Sequence, residues 1–206
     1  MSHIIPGQEA GKQNDLYYRR EEEDREHAVK CFTRAYKRML NPRVWHKLCG
    51  ALSAEFKLVD GTDDPHRLAM EGDHYRIDIT GPGPRAGDGY DWVMVEAVEV
   101  HADPDAEQES AAMRLRTCKN PKGNTQDTAH FFTDAATSTF IISRMGNAVT
   151  ASYHGRNEQP NTETQNSIDN LRNGAVASGA MAALSEAQWQ TLITEFLQPE
   201  IGGMPE

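Results

Sequence analysis

Residues 139 to 158 read TFIISRMGNAVTASYHGRNE, and the dipeptide Gly146-Asn147 at the centre of this stretch decides the fold. Flanked on both sides by alternating apolar and polar residues, it is the signal of a two-residue β-hairpin, with Gly supplying a positive φ. Such a turn makes Met145 oppose Ala148 and fixes every other pair. Arg144 then meets Val149, Ile142 meets Ala151 and Phe140 meets Tyr153 on a face that is apolar apart from the arginine. Ser143 with Thr150, Ile141 with Ser152 and Thr139 with His154 make the other face. Continuing at period two sends Arg156 and Glu158 to the His154 side and turns Asn157 away.

Working outward, the C-terminal side ends in an amphipathic helix. Trp189, Leu192, Ile193, Phe196 and Leu197 form an apolar stripe, and Ser185 with Gln188 reads as a capping box, with Leu184 and Trp189 as its hydrophobic staple. A weaker helix is expected from about Ser167 through Ala183. On the N-terminal side, Ala28, Val29, Phe32, Ala35, Tyr36, Met39 and Leu40 recur at helical spacing within 21–40, with acids at the start and Lys37 and Arg38 at the end, as the helix dipole favours. Asn41-Pro42 stops this helix and starts a short second one carrying Trp45 and Leu48. Between the helical regions the period is two: Phe56 and Leu58, Leu68 and Met70, Tyr75 to Ile79, Trp92 to Val100 and Met113 to Cys118 read as strands.

The fold class expected is α+β: an N-terminal helical hairpin, a central, mostly antiparallel β-sheet or small barrel of about six or seven strands, and C-terminal helices packed on it. Residues 1–20, polar and without periodicity, read as a flexible N-terminal arm, and 21–206 as a single domain. The chain of 206 residues carries 31 acids against 21 bases, a net charge of −10, which opposes binding to a nucleic-acid backbone. It holds no apolar run of membrane-spanning length and opens without a signal-peptide pattern, so no membrane partner and a cytoplasmic location are expected. The three cysteines, Cys31, Cys49 and Cys118, show no C-x-x-C spacing and read as small apolar side chains.

Three candidate sites emerge. His154, Arg156 and Glu158 would share a strand face at about 7 Å spacing, which suits contact with a carboxylate, a phosphate or a partner's charged side chain better than proton transfer; the plainer reading is a solvated strand end. A hydrolase would need a nucleophile with an orienting carboxylate, and no G-x-S-x-G elbow surrounds Ser143, Thr150 or Ser152. The loop GPGPRAGDG has four glycines in nine residues. Its prolines remove donors that a phosphate cradle needs and a strand follows it, so it reads as a strand connection presenting Arg85, Tyr90 and Trp92 as contact anchors. His101, Asp103, Asp105 and Glu107 alternate in an acidic loop that lacks the glycine and distal glutamate of an EF-hand, and they read as solvated.

No catalytic residue, cofactor or metal ligand is assigned on this basis. The function expected is a non-enzymatic interaction module, an adaptor or structural subunit of a larger assembly, meeting a protein partner or another copy of itself through His154, Arg156 and Glu158 and through Arg85, Tyr90 and Trp92. A small-ligand-binding barrel is the second reading. The third is a hydrolase acting on a charged substrate through His154, Arg156 and Glu158.

Overall fold

A computed structural model describes residues 4–50, 54–59, 64, 66–79, 83–162, 164, 169–170, 173–174 and 180–199. Gly146 takes φ +57° while Asn147 stays at negative φ, the requirement of a type II′ hairpin turn. It joins β6 (Thr137–Met145) to β7 (Ala148–Glu158). The register is the one the turn dictates, from Met145 opposite Ala148 through Phe140 opposite Tyr153 to Thr139 opposite His154. Phe140, Ile142, Ala151 and Tyr153 are all buried on the core side.

Around this hairpin lie β1 (Lys12–Glu21), β2 (Glu55–Val59), β3 (His74–Asp78), β4 (Asp91–His101) and β5 (Gln108–Thr117). The seven strands form one antiparallel sheet in the order β1-β7-β6-β5-β4-β3-β2. Its two ends, β1 and β2, do not pair, so the sheet is open and the barrel expectation is corrected. Helices occupy the apolar side instead: α1 (Arg25–Met39), the five-residue α2 (Trp45–Cys49) and α3 (Ala180–Leu197), with α3 packed on β1, β7, α1 and α2. Trp45 sits at the junction of these layers, its ring centre 4.9 Å from Phe140, 5.1 Å from Phe56 and 5.9 Å from Phe196. This aromatic cluster joins sheet and helices into one apolar core. Among the described residues no helix is long and apolar enough to cross a membrane.

Four further expectations need correction. Residues 12–20, assigned to a flexible arm, belong to strand β1, with Leu16 and Tyr18 facing the core and Asp15, Tyr17 and Arg19 facing out. The sequence hides this because an edge strand with a wet outer face is polar at most positions. Both helices expected of the N-terminal hairpin are present, but they do not pack on each other as a hairpin: Asp24 caps α1 by accepting from the His27 N–H, while α2, preceded by a 3-10 turn at Pro42–Val44, packs chiefly against β2 and α3. Leu68 and Met70 are not strand residues; Ala69 between them is the buried one, its N–H donated to the Leu40 carbonyl. The last helix is already formed at Ala180, so Ser185 falls inside it and not at an N-cap. Most of the weaker helix expected over 167–183 lies outside the described residues, and its final residues open α3.

Candidate functional site

The end of β7 carries polar side chains on both faces of the sheet. On the outer face, across the β1–β7 pairing, Asp15 stands opposite His154. Its Oδ1 lies 2.6 Å from His154 Nδ1 and accepts a 2.7 Å hydrogen bond from the Arg156 guanidinium. His154 Nε2 is 3.0 Å from the hydroxyl of Ser152, two residues back on the same strand. Burial acts to raise the Asp15 pKa, but hydrogen bonds and charge from Arg156 and His154 outweigh it and hold the carboxyl below its ordinary value. Tyr17 packs edge-on against the His154 ring, centres 5.5 Å apart.

Glu158 is absent from this group. Asn157 adopts φ +57°, and the β1–β7 register shifts between Lys12 and Asn14, so the chain bulges and Glu158 swings to the inner face. The shared face expected for His154, Arg156 and Glu158 therefore holds only for the first two. Asn157 takes up a different role: its side-chain oxygen accepts from the N–H groups of Glu9 and Ala10, and its amide donates to the Gly7 carbonyl. Residues 4–10 run back over the outer face as a strap, with Ile4 buried and its carbonyl bound by Arg114 of β5.

On the inner face the Tyr153 hydroxyl donates to the Glu158 carboxyl at 3.2 Å and lies 3.3 Å from the Ser138 hydroxyl. Tyr153 is stacked on Trp189 of α3, centres 5.2 Å apart and planes inclined by 18°. Gly155 leaves the space for this arrangement, because a Cβ there would collide with the Glu158 carboxyl and stand 3.0 Å from the Tyr153 oxygen. Burial raises Glu158 above the ordinary carboxyl value; the Tyr153 hydrogen bond, Lys12 and Arg156 pull the other way and lose. Burial and the neighbouring Glu158 likewise push Tyr153 well up. Among the described residues the Glu158 carboxyl has no ion-pair partner. The charges acting on it come from Lys12 of β1, Glu186 of α3 and Arg156.

The other candidates are scattered. Trp92 is 4% exposed and its indole N–H donates to the Gly87 carbonyl, so it braces its own loop and cannot anchor a contact. Arg85 is exposed, and its backbone N–H, with that of Ala86, is bound by the carboxylate of Asp169. Tyr90 lies under the Arg76 guanidinium at 4.7 Å. Among the described residues no three His, Cys, Asp or Glu side chains gather as metal ligands. Asp15 and Ser152 are the residues that sequence reasoning left out of the site: the first lay in the supposed arm, the second lacked a visible orienting carboxylate. Their signal would have been the alternation of Leu16 and Tyr18 with Asp15 and Tyr17, had β1 been recognised as a strand.

No protein-family model matches the chain, and no curated protein matches it. Among solved structures it is similar to the hypothetical protein jhp0584 from Helicobacter pylori, at 9% identity over 90% of this chain and 86% of that one, with a TM-score of 0.47. It is also similar to protein Ms6760 from Mycobacterium smegmatis, at 16% identity over 88% and 87% with a TM-score of 0.36, and to a Thalictrum norcoclaurine synthase point mutant in complex with a transition-state analogue, at 8% over 92% and 98% with a TM-score of 0.37. At these scores nothing about the chemistry of this chain follows from them.

Proposed function

We propose that the chain binds a small, mostly apolar molecule bearing one hydrogen-bonding group, beside Glu158 where the end of β7 meets α3. The observation that supports this is the Glu158 carboxyl, turned inward by the Asn157 bulge and biased toward its neutral form beside the hydroxyls of Tyr153 and Ser138. With the half-buried Trp189 stacked on Tyr153 beside it, such a group is suited to hold a hydroxyl or carbonyl while the indole meets the apolar body. The test is titration of the full chain with neutral hydroxyarenes such as 2-naphthol, followed by tryptophan fluorescence and thermal shift. Loss of one hydrogen bond in Tyr153→Phe should weaken binding by about 1 kcal/mol, roughly fivefold. No saturable binding by the folded wild type, or wild-type affinity in both Tyr153→Phe and Glu158→Gln, would overturn the reading.

A second reading is the interaction module that meets a protein partner or another copy. The exposed Tyr17 and Met145, at 60% and 62%, favour it. In this reading His154 and Arg156 are not the contact residues, since Asp15 already engages both. Light scattering of the wild type and Tyr17→Ala across a concentration series tests it; a monomer throughout in both would count against self-association.

A further inference from the structure

Asp15, His154 and Ser152 form a continuous hydrogen-bonded line, carboxylate to Nδ1 at 2.6 Å and Nε2 to hydroxyl at 3.0 Å. The carboxylate comes from 139 positions away, across the β1–β7 ladder. It fixes Nδ1 as the protonated nitrogen, leaving Nε2 to accept the Ser152 proton. Arg156 clamps the same carboxylate oxygen and its own strand's Gly155 carbonyl, so the orienting group is itself held in place.

We propose that Ser152 is a nucleophile for acyl transfer from small uncharged carboxylic esters, with His154 as its base and Asp15 as a positioning residue. The class of ester follows from the sheet register. Ser152 lies between Ile141 on β6 and Tyr17 on β1 in one cross-strand row, giving an apolar flank on each side for the acyl and alkyl parts. The next row holds Thr139 opposite His154, diagonal to Ser152 and near enough for both side chains to meet one small group. The Thr139 hydroxyl is fully buried and has no hydrogen-bond partner among the described residues, which makes it the donor for the oxygen that becomes charged. Ser152 itself is 7% exposed.

In the reaction the Ser152 oxygen bonds to the ester carbonyl carbon as its proton passes to His154 Nε2, and the carbonyl electron pair moves to oxygen. Collapse of that intermediate expels the alkoxide, which takes the proton from Nε2. Water then attacks the acyl-serine by the same sequence, releasing the carboxylic acid and restoring the Ser152 hydroxyl.

The test treats the full chain with a fluorophosphonate and locates any adduct by peptide mass spectrometry, alongside p-nitrophenyl acetate hydrolysis. Imidazoles hydrolyse that ester without a serine, so the adduct is the deciding measurement. The expected result is an adduct on Ser152, absent in His154→Ala, and esterase turnover lost in Ser152→Ala. Asp15→Asn should lower kcat by about 100-fold or more with KM little changed, the mark of a positioning role. Thermal melts confirm that each variant is folded. Ser152→Ala keeps the Asp15–His154 pair, so it remains informative if His154→Ala does not fold. No adduct on Ser152 in folded wild type, or hydrolysis by Ser152→Ala equal to wild type, overturns the proposal.

Discussion

His154 and Glu158, four residues apart on one strand, lie on opposite faces of the sheet. Period two would place them together; the left-handed Asn157 between them adds the extra step that separates them. The five residues HGRNE thus divide their work: His154 and Arg156 meet Asp15 outside, Glu158 meets Tyr153 inside, Gly155 leaves room for Glu158, and Asn157 both makes the bulge and holds the strap.

Asn157→Gly should preserve the positive φ yet lose the side-chain hydrogen bonds to Gly7, Glu9 and Ala10. We expect a loss of about 1–3 kcal/mol in urea titration, and faster proteolysis within residues 4–10. Asn157→Ala should cost about 1 kcal/mol more, because alanine also resists the left-handed conformation. Equal stability of the two variants would show that the conformation is not what Asn157 supplies.

Arg144 is the charged member of the core-facing row of β6, and it is fully buried against Glu109, Nε to Oε2 at 2.5 Å. Its other nitrogens donate to the carbonyls of Gly146 and Ala106. Removing either partner leaves the other charge buried, so Arg144→Ala and Glu109→Ala should each cost about 3–5 kcal/mol. The double variant should lose much less than the sum, and a double-mutant cycle by chemical denaturation measures the difference.

Leu192 anchors α3 within the core, at 2% exposure. Leu192→Ala should destabilise by about 2–5 kcal/mol in denaturant titration. A loss below about 1 kcal/mol would show α3 to be an outer arm instead of a core element.

Glu158 and Asp15, one shifted up and the other down, should respond to pH in opposite senses. Glu158 is raised in the folded state, so its contribution is fully present below the unfolded value near 4.5 and is lost as pH rises through the folded value. Glu158→Gln should therefore raise the melting temperature at neutral pH, with the gain shrinking toward pH 4. Asp15 is lowered, so its contribution is present above the unfolded value near 3.8 and disappears as pH falls through the folded value. Asp15→Asn should be the less stable protein at neutral pH and should approach wild type in acid.

The hairpin was legible because turn chemistry and period act locally: Gly146 requires no knowledge of the rest of the chain. Leu192, Ile193, Phe196 and Leu197 were legible for the same reason, as one helical stripe, and all four are buried. Glu158 was misplaced because alternation carries no mark of a bulge; the only local hint is that asparagine tolerates the left-handed region better than most residues. Asp15 could not be connected to His154 and Ser152 from local pattern, since their meeting depends on a β-ladder closing between the two ends of the sequence. Trp92 reads as a surface anchor in isolation, and only the folded loop reveals that its N–H serves Gly87.

The pairing of β1 with β7 also governs when the molecule can be finished. As the chain leaves the ribosome, β1 emerges first and has no partner until β7 follows, with Asp15 waiting 139 positions for His154. The ladder is a contact of high order and closes late, after the local β6–β7 hairpin. A nascent chain, or one that has lost β1, would hold a complete hairpin with the outer edge of β7 open to other chains, and would lack the Asp15–His154–Ser152 line altogether.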